Sequence, residues 1–534
     1  MIGRVMGSWS LYFLVKLGLH VAGLIQLDVP LNLLFAVALA WPWAHPGWRR
    51  AWRFLAWPVA VALLYHDSFW PPATRILSQW QAISGFSFAY LVELVGRVIN
   101  VQLLVAVAMG AALWWVLKQR LRLATWVFVG LVAVAALPSQ HGGVTDLAQA
   151  ATGADGTADR AADRATAPLL DAGQLDQALQ AFYDTERGKI LRLPKDGNVP
   201  GFDLLILNIC SLSWDDLAFA GLRNAPFMRR LDVVFDRFNS AASYSGPAVM
   251  RLLHGTCGQP AQHELYGGAV ADCYLFRNLE QAGYRPALLL NHDGRYDNFS
   301  TELRRDSGLG LVPEQRFDAA VAMSSFDGSP IRDDGETLTR WWSDRTAAAS
   351  GVPLAMLYNS ITLHDGNRVP GIQSLSSLET YAPRARKLMA DLERFAALVE
   401  ASGRPTVLVL VPEHGGAVRG DAQQIAGLRE LPTPAITHVP AGVMLIGMGE
   451  RRADGQEPVH VEQTSSYLSL FTVVAALMHG GPEVATPERL TEVAQALPPV
   501  EWVAENDKTI VLRRGPHTYV RDFEGRWRTL DSAP

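Results

Sequence analysis

The hydrophobic positions of the chain follow two patterns, and each predicts a different kind of structure. The first 140 positions contain long apolar runs, whereas the remainder alternates short apolar stretches with amphipathic ones. Five predominantly apolar runs occupy the first part: Leu11–Leu27, Val29–Ala44, Phe54–Tyr65, Asn100–Leu117 and Leu123–Leu137. Each is shorter than the roughly 20 residues that cross a bilayer, so a prediction of membrane spans depends on the charges between the runs.

Those charges alternate in sign. The segments after the second and fourth runs are positive, with Arg49, Arg50 and Arg53 in one and Lys118, Arg120 and Arg122 in the other. The segment after the first run has only Asp28, and the longer one after the third balances Asp67 and Glu93 against Arg75 and Arg97. This pattern predicts a five-span, N-in module over residues 1–138 in a bacterial inner membrane, with the rest of the chain in the periplasm. Lys16 and His20, inside the first run, predict a buried polar contact or a partner, although Lys16 is long enough to reach the interface.

Residues 139–200 are predicted to connect two domains. The stretch Gln140–Thr166 is rich in Ala, Gly, Asp and Thr, and it has too few large apolar residues to form a core. We therefore expect a flexible linker there. Leu169–Arg187 has apolar residues at a helical spacing, which predicts a helical neck that packs on the following domain near the membrane.

Residues 201–534 alternate strand and helix patterns, which predicts an α/β domain with a mostly parallel sheet. The strand candidates are Leu204–Ile209, Ala287–Leu290, Leu354–Leu357, Val407–Val411 and Val443–Ile446, with helices at Ala382–Ala401 and Ser465–Met478. Three short stretches at the end predict a small antiparallel meander on an edge: Thr509–Leu512, Tyr519–Asp522 and Trp527–Leu530.

One stretch of this domain combines a buried strand with reactive side chains. Val407–Val411 is apolar on both faces, Pro412 ends the strand, and Glu413 and His414 follow at its carboxyl end. Cys210 ends the first predicted strand, at the same edge of the predicted sheet. Sulfur, oxygen and nitrogen ligands of this kind suit Zn²⁺. The alternative is a capping carboxylate, a surface histidine and a small buried cysteine.

Ser245 precedes Gly246-Pro247 and a helical stretch, so it lies where backbone N–H groups and the helix dipole stabilise an anion. It is therefore a candidate nucleophile whose phosphorylated form the helix would hold, or simply an N-cap serine. Spacing alone does not distinguish it from Ser243 or Ser211.

The chain has three cysteines and a net charge of −5. In an oxidising periplasm a Cys257–Cys273 disulfide is expected, which would contribute roughly 3 kcal/mol in the chain-entropy model and leave Cys210 as the free thiolate. Three unpaired thiols would instead require a reducing compartment. The negative charge gives no electrostatic argument for a nucleic-acid partner.

Several motifs resemble one family over essentially the whole chain: N-I-C-S-L-S-W-D-D-L at 208–217, S-Y-S-G-P at 243–247, C-G-Q at 257–259, L-H-D-G-N at 363–367, V-P-E-H-G-G at 411–416 and G-L-R-E-L-P-T-P at 427–434. The chain resembles the cellulose phosphoethanolamine transferases of bacterial cellulose-synthesis operons, members of the alkaline phosphatase superfamily. Most phosphoethanolamine transferases of that superfamily have a glutamate after the first strand and Asp-His later. Cys210 and Glu413-His414 match the cellulose-modifying branch instead.

The resemblance implies an alkaline-phosphatase-like α/β sandwich and a zinc site. Its ligands would be Cys210, Glu413 and His414, with the nucleophile Ser245 as the fourth contact, and Tyr244, His364 and Arg429 would line the active site. Cys257 and Cys273 correspond to a family disulfide. His364 would protonate the leaving alkoxide or accept the acceptor's proton, although it could be an ordinary loop histidine. Arg429 would hold a phosphoryl oxygen, or be a surface ion-pair partner.

The implied reaction is transfer of phosphoethanolamine from phosphatidylethanolamine to glucose 6-OH groups of nascent cellulose, through a phosphoethanolamine-serine intermediate. The implied partners are the lipid donor, cellulose, the inner membrane and subunits of the cellulose synthase. Alternatives are a phosphoethanolamine or phosphoglycerol transferase with another envelope acceptor such as lipid A, a hydrolase, or a membrane scaffold of the synthase with a degenerate domain. Intact Cys210, Ser245, Glu413 and His414 disfavour degeneracy.

Overall fold

The computed structural model describes residues 9–21, 25, 27–41, 46–68, 84–98, 109–110, 112, 114–116, 123–136, 169–194 and 201–530, except 307, 310–313, 316, 349, 373, 375, 422, 450–451 and 453–455. The chain divides into two compact units. The smaller comprises Met1–Ser84 and Leu94–Asp155, and the larger comprises Gly85–Glu93 and Gly156–Pro534. The predicted run Asn100–Leu117 lies mostly outside the described residues, and the predicted linker Gln140–Thr166 lies wholly outside them.

The smaller unit is helical. Its helices are α1 (Trp9–Val21), α2 (Val29–Ala40), α3 (Pro46–Asp67) and α5 (Leu123–Ala136), while α4 (Phe88–Val98) begins within the larger unit. Asp28 caps α2, because its side chain accepts a hydrogen bond from the Leu31 amide at 3.0 Å. Among the described residues, no helix is both long enough and apolar enough to cross a membrane. The five predicted spans are therefore not confirmed.

A buried polar cluster lies between helices of the smaller unit. Lys16 is 1% exposed, and its Nζ lies 2.5 Å from Asp67 Oδ2 and 2.7 Å from Asn32 Oδ1. The Asn32 amide donates to Asp67 Oδ2 at 2.6 Å. Of the alternatives predicted for Lys16, the structure shows the buried polar contact.

The larger unit is built on an eight-stranded sheet. Its strands are β1 (Asp203–Ile209), β2 (Val233–Phe238), β3 (Arg285–Leu290), β4 (Glu314–Gln315), β7 (Leu354–Ser360), β8 (Thr406–Leu410), β9 (Ala441–Ile446) and β10 (Val459–Ser465). They lie in the order β10-β2-β9-β8-β1-β7-β3-β4. All neighbouring pairs are parallel except those of β9, which is antiparallel to both β2 and β8. The predicted α/β fold with a mostly parallel sheet is confirmed.

Helices cover both faces of this sheet, and the central strands are buried on both sides for that reason. The helices described in the larger unit, of which α6 packs elsewhere, are α6 (Ala172–Arg187), α7 (Trp214–Ala220), α8 (Pro226–Arg229), α9 (Ser245–Leu253), α10 (Leu275–Gln281), α11 (Phe299–Asp306), α12 (Asp334–Ala347), α13 (Tyr381–Ala401), α14 (Pro434–Thr437), α15 (Tyr467–Gly480) and α16 (Pro487–Ala496). Alternate residues of β1 enter two different cores: Leu204 and Ile206 join the core under α9 and α15, and Leu205 and Leu207 join the core under α12 and α13.

Two short sheets complete the larger unit. One is the hairpin of β5 (Val321–Ser324) and β6 (Pro330–Arg332), and the other is the antiparallel sheet of β11 (Trp502–Asn506), β12 (Thr509–Arg514), β13 (His517–Arg521) and β14 (Trp527–Leu530). The predicted meander is therefore present, but it is a separate sheet with one more strand. Helix α6, which begins at a capping box of Asp171 and Gln174, packs on it through Leu175, Leu179 and Phe182.

Candidate functional site

Two parallel neighbours of the central sheet bring distant parts of the chain together at one edge. Strand β1 ends at Ile209, directly before Cys210, and β8 ends at Leu410, shortly before Glu413. The chain beyond β8 continues to bond to β1, because the Val411 amide donates to Leu207 O and the Glu413 amide donates to Ile209 O, each at 3.0 Å. The alignment of these two strands therefore places Glu413 beside Cys210.

Cys210, Glu413 and His414 form one compact cluster at this edge. All three side chains are fully buried, and their ligand atoms lie within 4.8 Å of one another. His414 Nε2 lies 3.8 Å from Cys210 Sγ and 3.8 Å from Glu413 Oε2. The structure thus brings together the three side chains that were predicted as metal ligands.

Ser245, the first residue of α9, faces this cluster. Its Oγ lies 3.4 Å from Cys210 Sγ and 3.4 Å from His414 Nε2. Ser245 is partly exposed, whereas Ser243 and Ser211 are fully buried. Of these three serines, Ser245 is therefore the one that a substrate could reach, and it lies at a helix N-terminus that favours an anion.

The cluster has the chemistry of a metal site. Burial raises the pKa of the Cys210 thiol to about 12 and also raises the pKa of Glu413, while burial lowers the pKa of His414 well below its usual value. Within the described part of the chain, Glu413 Oε2 has no hydrogen-bond partner. His414 Nδ1 lies 2.9 Å from Gly415 O, so its N–H is directed to that carbonyl and the Nε2 lone pair faces the cluster. A bound divalent cation would satisfy these groups, and sulfur, oxygen and nitrogen ligands fit zinc.

Arg429 and Tyr244 border the cluster. Arg429 is 7% exposed, its Nη1 lies 3.3 Å from Ser211 Oγ and 3.2 Å from His414 Nδ1, and its guanidinium lies over the Tyr244 ring at 5.2 Å. The Tyr244 hydroxyl donates to Glu430 at 2.9 Å. Arg429 is therefore a buried cation beside the cluster and not a surface ion-pair partner.

His364 lies in the loop after β7. Its Nδ1 is 2.6 Å from Asp365 O, and its ring centroid is 4.6 Å from that of Phe326. The pKa of His364 is lowered to about 4, mainly by burial and next by the charge of Arg429. The imidazole is therefore neutral at neutral pH. With Nδ1–H donated to the Asp365 carbonyl, its lone pair is on Nε2.

Sequence reasoning missed the amides that hold Glu413. Asn359, in β7, donates from Nδ2 to Glu413 Oε1 at 2.5 Å and to Asn208 Oδ1 at 2.8 Å, and Asn208 donates to Val411 O at 2.8 Å. Both asparagines are fully buried. The signal available in the sequence was an amide within each of two otherwise apolar strands.

The two glycines after His414 meet a packing requirement. A Cβ on Gly415 would lie 2.7 Å from Ser213 Cβ, and the Gly416 amide donates to the buried carboxylate of Asp216 at 2.7 Å. The positive φ of this turn, +49°, occurs at Ala417 instead. Close approach of the backbone therefore explains Gly415 better than a sharp turn does.

The cysteines are arranged as predicted. Cys257 and Cys273 form a disulfide, and Cys210 is free and buried.

Comparison with known proteins identifies relatives over the full length of the chain. The profile described as "Cellulose biosynthesis protein BcsG C-terminal domain" matches residues 159–527, and "Cellulose biosynthesis protein BcsG N-terminal domain" matches residues 9–136. Cellulose biosynthesis protein BcsG of Escherichia coli strain K12 is 37% identical, with 98% of this chain and 96% of the relative covered. The Salmonella typhimurium protein of the same name is 36% identical with the same coverage. A solved structure of an alkaline phosphatase superfamily protein from Vibrio parahaemolyticus is 15% identical, with a TM-score of 0.45 over 68% of this chain and 92% of that chain.

Proposed function

The chain belongs to the BcsG family of cellulose biosynthesis proteins, and from this membership and the site geometry we propose that it transfers phosphoethanolamine from phosphatidylethanolamine to glucose 6-hydroxyl groups of nascent cellulose. One observation supports the reaction type most directly. Ser245 Oγ lies 3.4 Å from both Cys210 Sγ and His414 Nε2 at the start of α9. A hydroxyl beside a metal-ligand set and at a helix N-terminus is suited to attack phosphorus and to hold the phosphorylated product.

The residues that would hold zinc are Cys210, Glu413 and His414, with Ser245 as the fourth contact. When bound, the ion would lower the pKa of the serine hydroxyl and stabilise negative charge on phosphoryl oxygens. The unsatisfied Glu413 Oε2 and the His414 Nε2 lone pair are the observations that support this assignment.

In the first half of the reaction, Ser245 Oγ bonds to phosphorus and the bond from phosphorus to the diacylglycerol oxygen breaks. His364 Nε2 would accept the proton that Ser245 loses, since the neutral imidazole has its lone pair there, and would then donate it to the leaving alkoxide. Arg429 would hold a phosphoryl oxygen, and the first backbone N–H groups of α9 would stabilise the phosphoserine.

In the second half, the glucose hydroxyl bonds to phosphorus and the bond to Ser245 Oγ breaks. His364 Nε2 would accept the proton of the incoming hydroxyl and return it to Ser245, so that the enzyme ends in its starting state. Burial and then the Arg429 charge lower the pKa of His364 to about 4, so the imidazole is unprotonated at neutral pH and its Nε2 lone pair is open to the hydroxyl proton.

The proposal includes the setting of the reaction. The alternating charges of the first 140 residues support an inner-membrane module with the larger unit in the periplasm, where a lipid donor and a growing cellulose chain are both accessible. Membership of a cellulose biosynthesis family supports subunits of the synthase as partners.

The test uses the full-length chain in mixed micelles that contain phosphatidylethanolamine and zinc. Intact mass spectrometry with peptide mapping should find one phosphoethanolamine on Ser245, and this adduct should be absent from Ser245→Ala and after chelation. Ser243→Ala is the matched control, because this serine is two residues away and fully buried. A folded, zinc-loaded protein without an adduct would contradict the proposed donor, and adduct formation without later loss to cellulose would contradict the proposed acceptor.

A further inference from the structure

The short segment Gly85–Glu93 belongs to the larger unit, although it precedes the rest of that unit by more than sixty positions in the sequence. It includes the first residues of α4. Tyr90 and Glu93 are 7% and 5% exposed, so both polar side chains are buried. The sequence predicts Glu93 to be a loop charge between two spans, whereas the structure places it in a helix with its carboxylate buried.

Glu93 binds residues of the loop that carries His364, residues 361–377, here called the His364 loop. Its Oε1 accepts hydrogen bonds from the Ser377 amide at 2.8 Å and the Ser376 hydroxyl at 3.1 Å. Its Oε2 pairs with Arg368 Nη2 at 2.6 Å. Each oxygen of this carboxylate thus holds a different part of the same loop.

Tyr90 binds the residue next to His364. Its hydroxyl donates to Asp365 Oδ2 at 2.9 Å, while Asp365 Oδ1 accepts from the Gly366 amide at 2.9 Å and from the Ser377 hydroxyl at 2.6 Å. The carbonyl of Asp365 is the group that fixes Nδ1 of His364. Tyr90 therefore orients the residue that determines which His364 nitrogen carries the lone pair.

Ring packing holds the imidazole from a second direction. Phe326 lies between the two parts, with ring centroids 4.6 Å from His364, 5.7 Å from Phe86 and 6.1 Å from Tyr90. The Ser87 amide donates to Phe326 O at 2.9 Å, which anchors this ring to the segment. Gly366 has φ +81°, and a Cβ there would lie 2.5 Å from Phe326 Cβ and 2.9 Å from the Tyr90 ring.

We propose that Tyr90 and Glu93 are positioning residues of the active site, which fix the His364 loop so that His364 Nε2 is aimed for proton transfer. The inference rests on the proposed role of His364. A buried hydrogen-bond network fixes its members more closely than packing alone, and this network ends on the imidazole through the Asp365 carbonyl. The active site is then incomplete without a segment that the sequence places in the N-terminal part of the chain.

The first test measures the loop and requires no activity. Amide hydrogen exchange of the full-length chain should be faster at Gly366 and Ser377 in Tyr90→Phe and Glu93→Gln than in the wild type. Val92→Ala is the matched control, because Val92 lies in the same helix and is 51% exposed. Equal exchange in all four proteins would overturn the proposal.

The second test separates positioning of His364 from a general structural role. The full-length chain is given phosphatidylethanolamine, whose leaving alkoxide needs a proton, or a p-nitrophenyl phosphoethanolamine ester, whose leaving phenolate does not. We expect Tyr90→Phe to slow adduct formation from the lipid by about 10-fold, a fraction of the contribution of general acid–base catalysis, and to leave nitrophenolate release nearly unchanged.

In a His364→Ala background, Tyr90→Phe should cause no further loss, since it acts through the missing imidazole. Equal losses with both esters, or additive losses in the double variant, would contradict a positioning role. If the wild type forms an adduct from neither ester, the proposed function fails, and the exchange measurement alone decides whether the segment fixes the loop.

Discussion

Each unit of the molecule buries a cluster of polar side chains, and the two clusters differ in how well they are satisfied. In the smaller unit, Lys16, Asn32 and Asp67 form a satisfied set in which a cation, an anion and an amide bind one another, and Asp67 Oδ1 also accepts from the Asp28 amide at 3.3 Å. In the larger unit, Cys210, Glu413 and His414 are equally buried and include no cation among them. One Glu413 oxygen has no hydrogen-bond partner among the described residues.

The difference favours the cluster of the larger unit as the candidate metal site. A buried charge that is paired and hydrogen-bonded needs nothing further, whereas a buried carboxylate oxygen that has no hydrogen-bond partner is costly unless a proton or a cation binds it. The degree of burial does not distinguish the two clusters, because the side chains of both are almost fully buried. The unsatisfied atoms distinguish them, and four substitutions test this distinction.

The largest expected effect is on zinc binding when a ligand is removed. Cys210→Ala should weaken zinc affinity of the full-length chain by on the order of 10³-fold, since a thiolate ligand is lost and not merely reoriented. Competition with a chromogenic chelator measures it. Ser243→Ala is the control, and unchanged affinity in Cys210→Ala would mean that the cluster is not the zinc site.

Breaking the buried ion pair of Lys16 and Asp67 should lower the stability of the smaller unit and leave zinc affinity unchanged. Asp67→Asn leaves Lys16 buried without its counter-ion, and we expect the smaller unit to lose about 3–5 kcal/mol of unfolding free energy in urea titrations. A combined Lys16→Met and Asp67→Leu variant should recover most of this loss, because no buried charge remains. If Asp67→Asn unfolds like the wild type, the ion pair is not what stabilises these helices.

A smaller effect is expected from the amide that holds Glu413. Asn359→Ala removes the donor at 2.5 Å from Oε1, so zinc affinity should fall about 10–100-fold, the usual cost of losing an outer partner of a ligand. The same chelator competition measures it. A loss as large as that of Cys210→Ala would show that Asn359 contributes more than orientation.

The smallest effect should come from Glu413→Gln in the metal-free protein. Replacing a buried carboxylate that has an unsatisfied oxygen by a neutral amide should change the unfolding free energy by only about 1 kcal/mol, or raise it slightly. The contrast with Asp67→Asn is the informative result. A loss comparable to that of Asp67→Asn would show that Glu413 is already paired without metal.

Much of the larger unit was predictable from sequence because its central strands are apolar on both faces. Strands β1 and β8 and the residues after them were placed correctly, and the shared edge of a parallel sheet then brings Cys210 to Glu413 and His414. Strands β2 and β10 were missed. They lie at one side of the sheet, where exposed polar residues such as Arg237 and Glu462 interrupt the apolar pattern.

The support of the site was less predictable, for a physical reason. In the sequence alone, Asn359 is a polar residue that interrupts a mostly apolar strand, and its hydrogen bond to Glu413 is not visible. Glu93 likewise has the pattern of a solvated charge, because its contacts with Ser377 and Arg368 are not visible. Both roles depend on contacts between residues far apart in sequence. Local periodicity does not report such contacts.

The arrangement of the three cysteines also bears on how the chain matures. Cys257 and Cys273 are 16 positions apart, and Cys210 is roughly three times that far from Cys257, so loop closure favours the native pair by about 1 kcal/mol in an unfolded chain. This is only about a fivefold preference. The thiol of Cys210 can therefore compete as an attacking group until β1 and β8 pair and bury it, after which thiol–disulfide exchange is blocked. An oxidant that acts before the sheet closes would trap a share of molecules in a cross-linked form in which Cys210 is no longer available as the proposed metal ligand.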